Sequence, residues 1–411
     1  MATLHPLVAR AREFATTTLR PQAGGFDADQ GVPREVLAAM AEHGFLGAIL
    51  PVEYGGGGMD ALNWGLLTHE IGKGCSSARA LLTVHSSLVG ETLVRLANPE
   101  QKRHWLPQLA SGSKLACFAL TEPDVGSDAT ACKTSFRKVD GGYVINGRKK
   151  WITYGAIADV MLLFANSDNS DSTAHSANGA NGTGAGAAGA DSAASKGGSA
   201  FLLERGMPGL STTPMRGLLA SRGAHLAEIE LNNVFVPEAN LLGREGAGFS
   251  FVANTALFFG RYSIAWAGVS IAEAALEEMV TYAGQREQFG QKLRQHQLVR
   301  GMIADAVAAV HLSRALCEKV GRMRDEKDDD AVTEANIAKY VSSKAAMEVA
   351  QNAVQLFGGN GISSQYPVER LFREAKVLEI IEGSSQIQQM MLSDYAVRRY
   401  RLRSKAARNA A

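Results

Sequence analysis

Near the C-terminus the chain reads Val-Leu-Glu-Ile-Ile-Glu-Gly-Ser-Ser-Gln-Ile-Gln (377–388), with two carboxylates among apolar residues. The second, Glu382, closes an apolar helical run just before a Gly-Ser-Ser break. A solvated Glu at a helix end needs no function. A carboxylate buried at such a hinge would serve as a base, because burial raises its pKa toward neutrality. Four further stretches carry residue types that could meet a ligand. Phe118 to Asp128 passes from an apolar start into a loop rich in hydroxyls and turn formers. It could offer N–H and O–H groups to an electron-rich ligand, or be a well-made interdomain turn. In Lys149-Lys150-Trp151-Ile152-Thr153-Tyr154-Gly155, Trp151 and Thr153 alternate on one strand face, one to stack and one to donate; an aromatic in a β core reads the same way. Arg286-Glu287-Gln288-Phe289-Gly290 is followed by His296-Gln297. Gln355-Leu356-Phe357-Gly358-Gly359-Asn360-Gly361 ends a helix with glycines that let another backbone approach. No Gly-Lys-Ser/Thr follows, so it is not a phosphate-binding P-loop, and as a helix cap it needs no function.

The elements that must position these residues change character along the chain. Residues 1–115 read as an N-terminal helical domain. Leu4, Leu7, Val8, Ala11, Phe14, Ala15 and Leu19 recur at helical spacing, which predicts a first helix ending before Pro21. Further helices are expected over 36–40 and 88–96, and the glycine run Gly55 to Gly58 breaks the pattern. Residues 116–237 read as a middle β domain with strands at 136–139, 142–147, 160–164, 200–203 and 227–231. Inside it, Asn166 to Ser199 contains almost nothing but Ala, Gly, Ser, Asn, Asp and Thr, and is expected to be a disordered loop joining two strands. Residues 238–403 read as a C-terminal bundle with helical runs at roughly 247–284, 295–325, 331–357, 367–381 and 385–403. Ser385 with Gln388 is expected to form a capping box for the last run, and 404–411 a flexible tail. The order α, then β, then α excludes a doubly wound α/β fold.

Bulk properties narrow the function. The 411 residues hold 42 Lys and Arg against 41 Asp and Glu, a balance that argues against a nucleic-acid binder. The one basic concentration is Arg398-Arg399-Tyr400-Arg401-Leu402-Arg403-Ser404-Lys405. Cys75, Cys117, Cys132 and Cys317 stand at neither metal-ligand nor disulfide-framework spacing, which points to no metal and to a reducing, cytoplasmic setting. No apolar run is long enough to span a bilayer.

Taken together, Ala119–Asp128, Lys149–Gly155, Arg286–Gly290, Gln355–Gly361 and Tyr366–Gly383 resemble the motif set of the acyl-CoA dehydrogenase family, in its order and spacing from about Leu4 to Tyr400. The resemblance implies an α+β multidomain fold: an N-terminal helical domain, a central β-barrel-like domain and a C-terminal four-helix bundle, assembled as a homotetramer. It implies FAD between the β domain and the bundle. Phe118, Leu120, Thr121 and Ser127 stand where the family contacts the flavin, with Trp151, Ile152 and Thr153 beside its ring. Arg286, Phe289, His296, Gln297, Gln355, Gly358 and Gly359 match positions that reach the FAD of a neighbouring subunit, and Ser384 and Gln386 match positions near the adenosine half. Glu382 matches the catalytic base, while Ser127, Arg261 and Gly383 match substrate-side positions.

The implied reaction is removal of an α-proton by Glu382 while a hydride leaves Cβ for flavin N5, giving a trans-2-enoyl thioester and passing electrons to an electron-transfer flavoprotein. Relatives that carry the base on the first bundle helix do so where this chain has Gly260, so the choice of Glu382 is internally consistent. Departures from the pattern are Gln365, Ser384, Phe258 and the loop Ala220–His225. They leave the acyl carrier open between CoA and an acyl carrier protein. The alternatives are a flavin monooxygenase on the same scaffold, or a binding protein that keeps the fold without the chemistry.

Overall fold

The computed structural model describes residues 4–168 and 197–409, with backbone alone from 402 to 409. The N-terminal helices are α1 (Pro6–Phe14), α2 (Arg20–Ala28), α3 (Arg34–Glu42), α4 (Ala61–Gly74), α5 (Ser76–Leu81), α6 (Thr92–Leu96) and α7 (Pro99–Ala110). The first helix does not stop before Pro21. A widened π-type turn over Ala15–Leu19 carries α1 into α2. Side-chain donors stand in around the disrupted ladder: Thr16 and Thr17 hydroxyls donate to Arg12 O and Glu13 O (each 2.8 Å), and the Gln22 amide donates to Thr18 O at 2.9 Å. Elsewhere the starts follow local chemistry. Asp60 accepts from Asn63 N at 2.7 Å to begin α4, and Asn98 with Gln101 forms a capping box around Pro99 to begin α7. A second π-type segment, Leu82–Glu91, joins α5 to α6 and is buried at every residue.

The middle domain contains β1 (Ala116–Ala119), β2 (Ser135–Val139), β3 (Gly142–Ile152), β4 (Val160–Ser167), β5 (Ser199–Glu204), β6 (Leu210–Pro214), β7 (Ala227–Pro237) and β8 (Leu241–Leu242). The order is β6-β7-β3-β2-β4-β5-β8, with β1 parallel to β4. The uninterrupted apolar run in β4 has a direct cause, because the strand is covered on both faces. Met161, Leu163 and Ala165 join Phe136, Tyr143 and Phe201 in the β core, while Val160, Leu162 and Phe164 join Leu93, Trp105 and Leu106 in a helical core. The low-complexity stretch falls between β4 and β5. Its ends differ from expectation, since Asn166 and Ser167 complete β4 and Ser199 opens β5. Asn166 is fixed there by donating to Thr130 O and Cys132 O. The rest of that stretch, 169–196, lies outside the described residues.

The C-terminal region contains α8 (Asn254–Gln285), the short hairpin β9 (Glu287–Gln288) and β10 (Gln291–Lys292), then α9 (Gln297–Asp325), α10 (Ala331–Phe357), α11 (Val368–Leu378) and α12 (Ser385–Asn409). α8, α9 and α10 pack on one another, α12 packs on α10, and α11 covers α8 and α10. Close approach of α8 to α10 needs Gly268, where a Cβ would lie 2.6 Å from Ser342 O. Two expectations are corrected. α12 runs past 403 to Asn409, because Arg, Lys and Ala are good helix formers. Ser385 and Gln388 form no capping box: Ser384 Oγ accepts from Ile387 N at 3.3 Å, and the Gln388 amide turns toward Glu382 O.

Replacing 169–196 with a short Gly-Ser bridge between the β4 and β5 ends should leave the fold intact and change unfolding free energy by about 1 kcal/mol or less, in the stabilising direction, because a shorter loop costs less to close. Urea unfolding checks this, and a large loss of stability would mean that the segment packs.

Candidate active site

α11 stops at Leu378, four residues short of Glu382, and the chain then turns. Glu382 (φ 56°) and Gly383 (φ 90°) are both left-handed, a costly backbone for Glu that the surroundings must enforce. Buried donors do so. Arg261 Nε (3.1 Å) and Gln388 Nε2 (3.3 Å) donate to Glu382 O, and Lys339 Nζ donates to Gly383 O at 2.7 Å. The Glu382 N–H has no acceptor among the described residues. Its carboxyl points inward, where Oε2 is buried with no hydrogen-bond partner. Gly260 on α8 makes the room: a Cβ there would stand 2.5 Å from Glu382 Oε2 and 2.7 Å from Leu88 Cδ2.

Electrostatics follow from this geometry. Burial pushes the Glu382 carboxyl up to about 7, against the opposing charges of Arg261, Lys339 and Arg79. Burial also brings Lys339 down to about 8 and holds Arg261 below its ordinary value, with Glu382 working the other way in both. Sequence reasoning missed Lys339, Gln388 and Arg79. A signal was available for Lys339, which lies on the same helical stripe as buried Ala335, Ser342 and Ala346.

A second group gathers at the edge of the β domain. Glu122 and Lys149 form a buried ion pair at 2.7 Å. Lys149 Nζ also donates to Leu120 O (3.1 Å), and Glu122 accepts from Thr134 N (3.0 Å) and Lys133 N (2.6 Å), so the pair ties the Phe118–Ser127 stretch to β3. Lys150 N donates to Thr121 O at 2.9 Å, which places Trp151 beside that stretch. Trp151 and Thr153 do not share a strand face. A bulge between Lys149 and Ile152 puts Trp151, 49% exposed, in the left-handed region (φ 63°), buries Ile152, and leaves Thr153 beyond the strand end. The hydroxyls of Thr121, Ser127 and Thr153 and the Trp151 indole N–H have no protein partner among the described residues. Unpaired donors around the half-buried apolar side chains of Phe118 and Leu120 fit a planar, acceptor-rich ring system. The buried segment Leu82–Glu91 links this group to Glu382, since it packs against both β1 and α8 and carries Leu88.

The remaining expected residues lie elsewhere. Arg286, Phe289 and Gln297 are exposed, Phe289 at 96%, around a hairpin where His296 Nε2 meets Gln288 O. Gln355, Gly358 and Gly359 are exposed near the same end, where Phe357 stacks on Tyr282 at 3.9 Å and Asn360 donates to Tyr282 Oη. At 1.5 Å per residue, Gly260 and Gln285 are about 38 Å apart along α8. Ser384 and Gln386 follow the Glu382 turn, half-buried and exposed respectively. Among the described residues no cluster of His, Cys, Asp and Glu is placed to hold a metal, and no helix is long and apolar enough to cross a membrane.

Comparison with known proteins gives three adjacent family matches: acyl-CoA dehydrogenase N-terminal domain over 3–113, middle domain over 117–234 and C-terminal domain over 246–396. An acyl-CoA dehydrogenase of Bacillus subtilis (strain 168) is 36% identical over 384 residues, 93% of this chain and 95% of its own. The structure of butyryl-CoA dehydrogenase from Megasphaera elsdenii matches with a TM-score of 0.87 at 32% identity, covering 97% of this chain and 100% of that one. A glutaryl-CoA dehydrogenase from Mycobacterium smegmatis in complex with FADH2 matches with a TM-score of 0.84 at 27% identity, over 95% of this chain and 93% of that one.

The Glu382 carboxyl should leave a signature in stability. Its native pKa lies near 7 against an ordinary 4.5, so between those values the folded chain keeps a proton that the unfolded chain has lost. Stability contributed by this group is therefore complete below the lower value and declines as pH rises through the upper one. Glu382→Gln stays neutral and lacks that decline. Urea midpoints measured from pH 4.5 to 8 should show the variant gaining on the wild type up to about pH 7 and then holding a constant difference.

Proposed function

The chain belongs to the acyl-CoA dehydrogenase family, and from that premise we propose that it dehydrogenates an acyl thioester to the trans-2-enoyl thioester with Glu382 as base. It is an FAD-dependent oxidoreductase acting on a CH–CH group. The observation that carries the proposal is a carboxyl with a buried, unpartnered Oε2 and a pKa near 7, next to a backbone N–H that is itself free.

Phe118, Leu120, Thr121, Ser127, Trp151, Ile152 and Thr153 would hold the flavin, with Ser384 and Gln386 toward its adenosine end. When bound, FAD accepts the hydride that leaves the substrate Cβ. The protein's own part begins with Arg261, Gln388 and Lys339, which pin the left-handed turn and so aim the carboxylate. Gly260 and Leu88 keep its surroundings small and apolar, which excludes water and holds the carboxylate basic. The Glu382 carboxylate takes the α-proton. The Glu382 N–H donates to the thioester carbonyl oxygen as negative charge develops there, so one residue supplies both the base and an oxyanion donor. Ser127 and Gly383 flank the acyl thioester.

The long rod of α8 supports an assembled enzyme. The exposed group at its far end, Arg286, Phe289, His296, Gln297, Gln355, Gly358 and Gly359, lies too far along the helix to reach the flavin beside Glu382 of the same chain. We assign it to the FAD of a neighbouring subunit in a homotetramer. An electron-transfer flavoprotein is the proposed acceptor, and CoA or an acyl carrier protein the acyl carrier.

Purified Glu382→Gln should remain yellow and folded while turnover with an acyl thioester falls about 10³-fold. In the wild type, kcat/KM should climb through about pH 7 as the carboxyl loses its proton. Anaerobic flavin bleaching by a panel of acyl-CoA and acyl-carrier thioesters tests the whole reading. Near-normal turnover by the variant would remove Glu382 from the role, and a flavin that no thioester bleaches would remove the reaction.

A further inference from the structure

Arg79 is a charged side chain that the reaction above does not use. It lies on α5, is 3% exposed, and rests its stem on α4, where a Cβ on Gly72 would meet Arg79 Cδ at 3.0 Å. Its guanidinium finds only neutral partners: Thr83 Oγ1 at 2.9 Å, Ser263 Oγ at 2.8 Å and Ser263 O. Its Nε has none. Among the described residues no carboxylate pairs with it, nor with Arg261 or Lys339. Three buried cations thus share one buried carboxyl, Glu382. Arg261 and Lys339 are accounted for by the carbonyls they clamp and by their stronger effect on Glu382. A guanidinium does not lose its charge in a protein, so its burial without a counter-charge is costly unless an anion arrives from outside.

The position of Arg79 says where that anion would sit. On α8, Gly260 faces the Glu382 carboxyl and Ser263 holds Arg79, and residues three apart on a helix are neighbours about 5–6 Å apart. On the facing segment, Leu88 borders Gly260 and Thr83 holds Arg79. The two segments therefore run side by side from the base to the guanidinium within about one helical turn, touching where Thr83 Oγ1 lies 3.1 Å from Ser263 Oγ. The end nearer Glu382 is where the acyl α-carbon must be; the other end is closed by a positive charge.

Resting on the dehydrogenase reading, we propose that Arg79, with Thr83 and Ser263, binds a carboxylate at the far end of a short acyl group, so that the substrate is the thioester of a dicarboxylic acid. A planar guanidinium whose Nε is free matches a carboxylate edge to edge. A terminal methyl would instead leave the charge buried against hydrocarbon.

The test compares the holoenzyme's kcat/KM for succinyl-, glutaryl- and adipyl-CoA with that for butyryl-, pentanoyl- and hexanoyl-CoA, followed by anaerobic flavin bleaching and turnover. The best dicarboxylic thioester should exceed its neutral counterpart by about tenfold or more, because a site built around a polar partner rejects analogues that lack it. In Arg79→Gln that ratio should drop toward one, and Arg79→Lys should restore part of it. Reading the ratio within each protein cancels any general loss of activity. A wild-type ratio at or below one, or a ratio that Arg79→Gln leaves unchanged, overturns the subsite alone. Failure of every thioester to bleach the flavin overturns the dehydrogenase reading instead. If Arg79→Gln does not fold, the wild-type ratio and Arg79→Lys decide the matter.

Discussion

A carboxyl oxygen held away from water without a hydrogen bond is among the less favourable arrangements a protein can build. Here it is imposed by the backbone. Glu382 occupies a left-handed conformation because Arg261, Gln388 and Lys339, from three different helices, hold its own carbonyl and that of Gly383. Those donors come from α8, α12 and α10, so the turn can form only once the bundle has closed. The strain in the turn and the raised proton affinity of the carboxyl therefore have one origin, the packing of the bundle around the six residues between α11 and α12 that are not helical themselves.

Much of this organisation was legible in the sequence, and the misses have identifiable causes. The α–β–α order and the β4 and β5 strands were readable because apolar periodicity is a local property. Glu382 stood out because its neighbours are apolar and a glycine follows. The end of α11 was placed too late, since Val377 to Glu382 continues a helical pattern while the turn depends on distant donors as well as on the local bond from Ser385 N to Glu379 O. The bulge at Trp151 was invisible for a similar reason: its alternation with Thr153 is that of a regular strand, and pairing of β3 with β7 creates the irregularity. Pro21 misled because a wide turn and side-chain donors can carry a helix past a missing N–H. Arg79 reveals itself only in three dimensions, since a sequence does not state which cations lack a carboxylate, whereas Lys339 could have been found from its place on the buried stripe of α10.

The β domain is built to keep one edge rigid. The Glu122–Lys149 pair is buried, and its carboxylate also accepts two backbone N–H groups, so its charges are better satisfied than an isolated pair would be. Along the stretch this pair fixes, and just past the end of β3, the hydroxyls of Thr121, Ser127 and Thr153 have no partner among the described residues. A satisfied buried pair beside unsatisfied hydroxyls is the pattern expected of a surface made to receive a polar, planar guest.

Gly260 and the Glu382 carboxyl compete for a single small volume. An added methyl on the helix would stand 2.5 Å from the acid oxygen, so the carboxyl would have to turn aside before the helix could carry a side chain toward this spot. Two places on the backbone therefore command the same point in space, and filling one displaces the other. A descendant of this protein could relocate its acidic group from one to the other only by passing through a form with both, which is crowded, or with neither, which is inert. That steric exclusivity makes the location of the acid a durable mark of descent, harder to exchange than the chemistry alone would suggest.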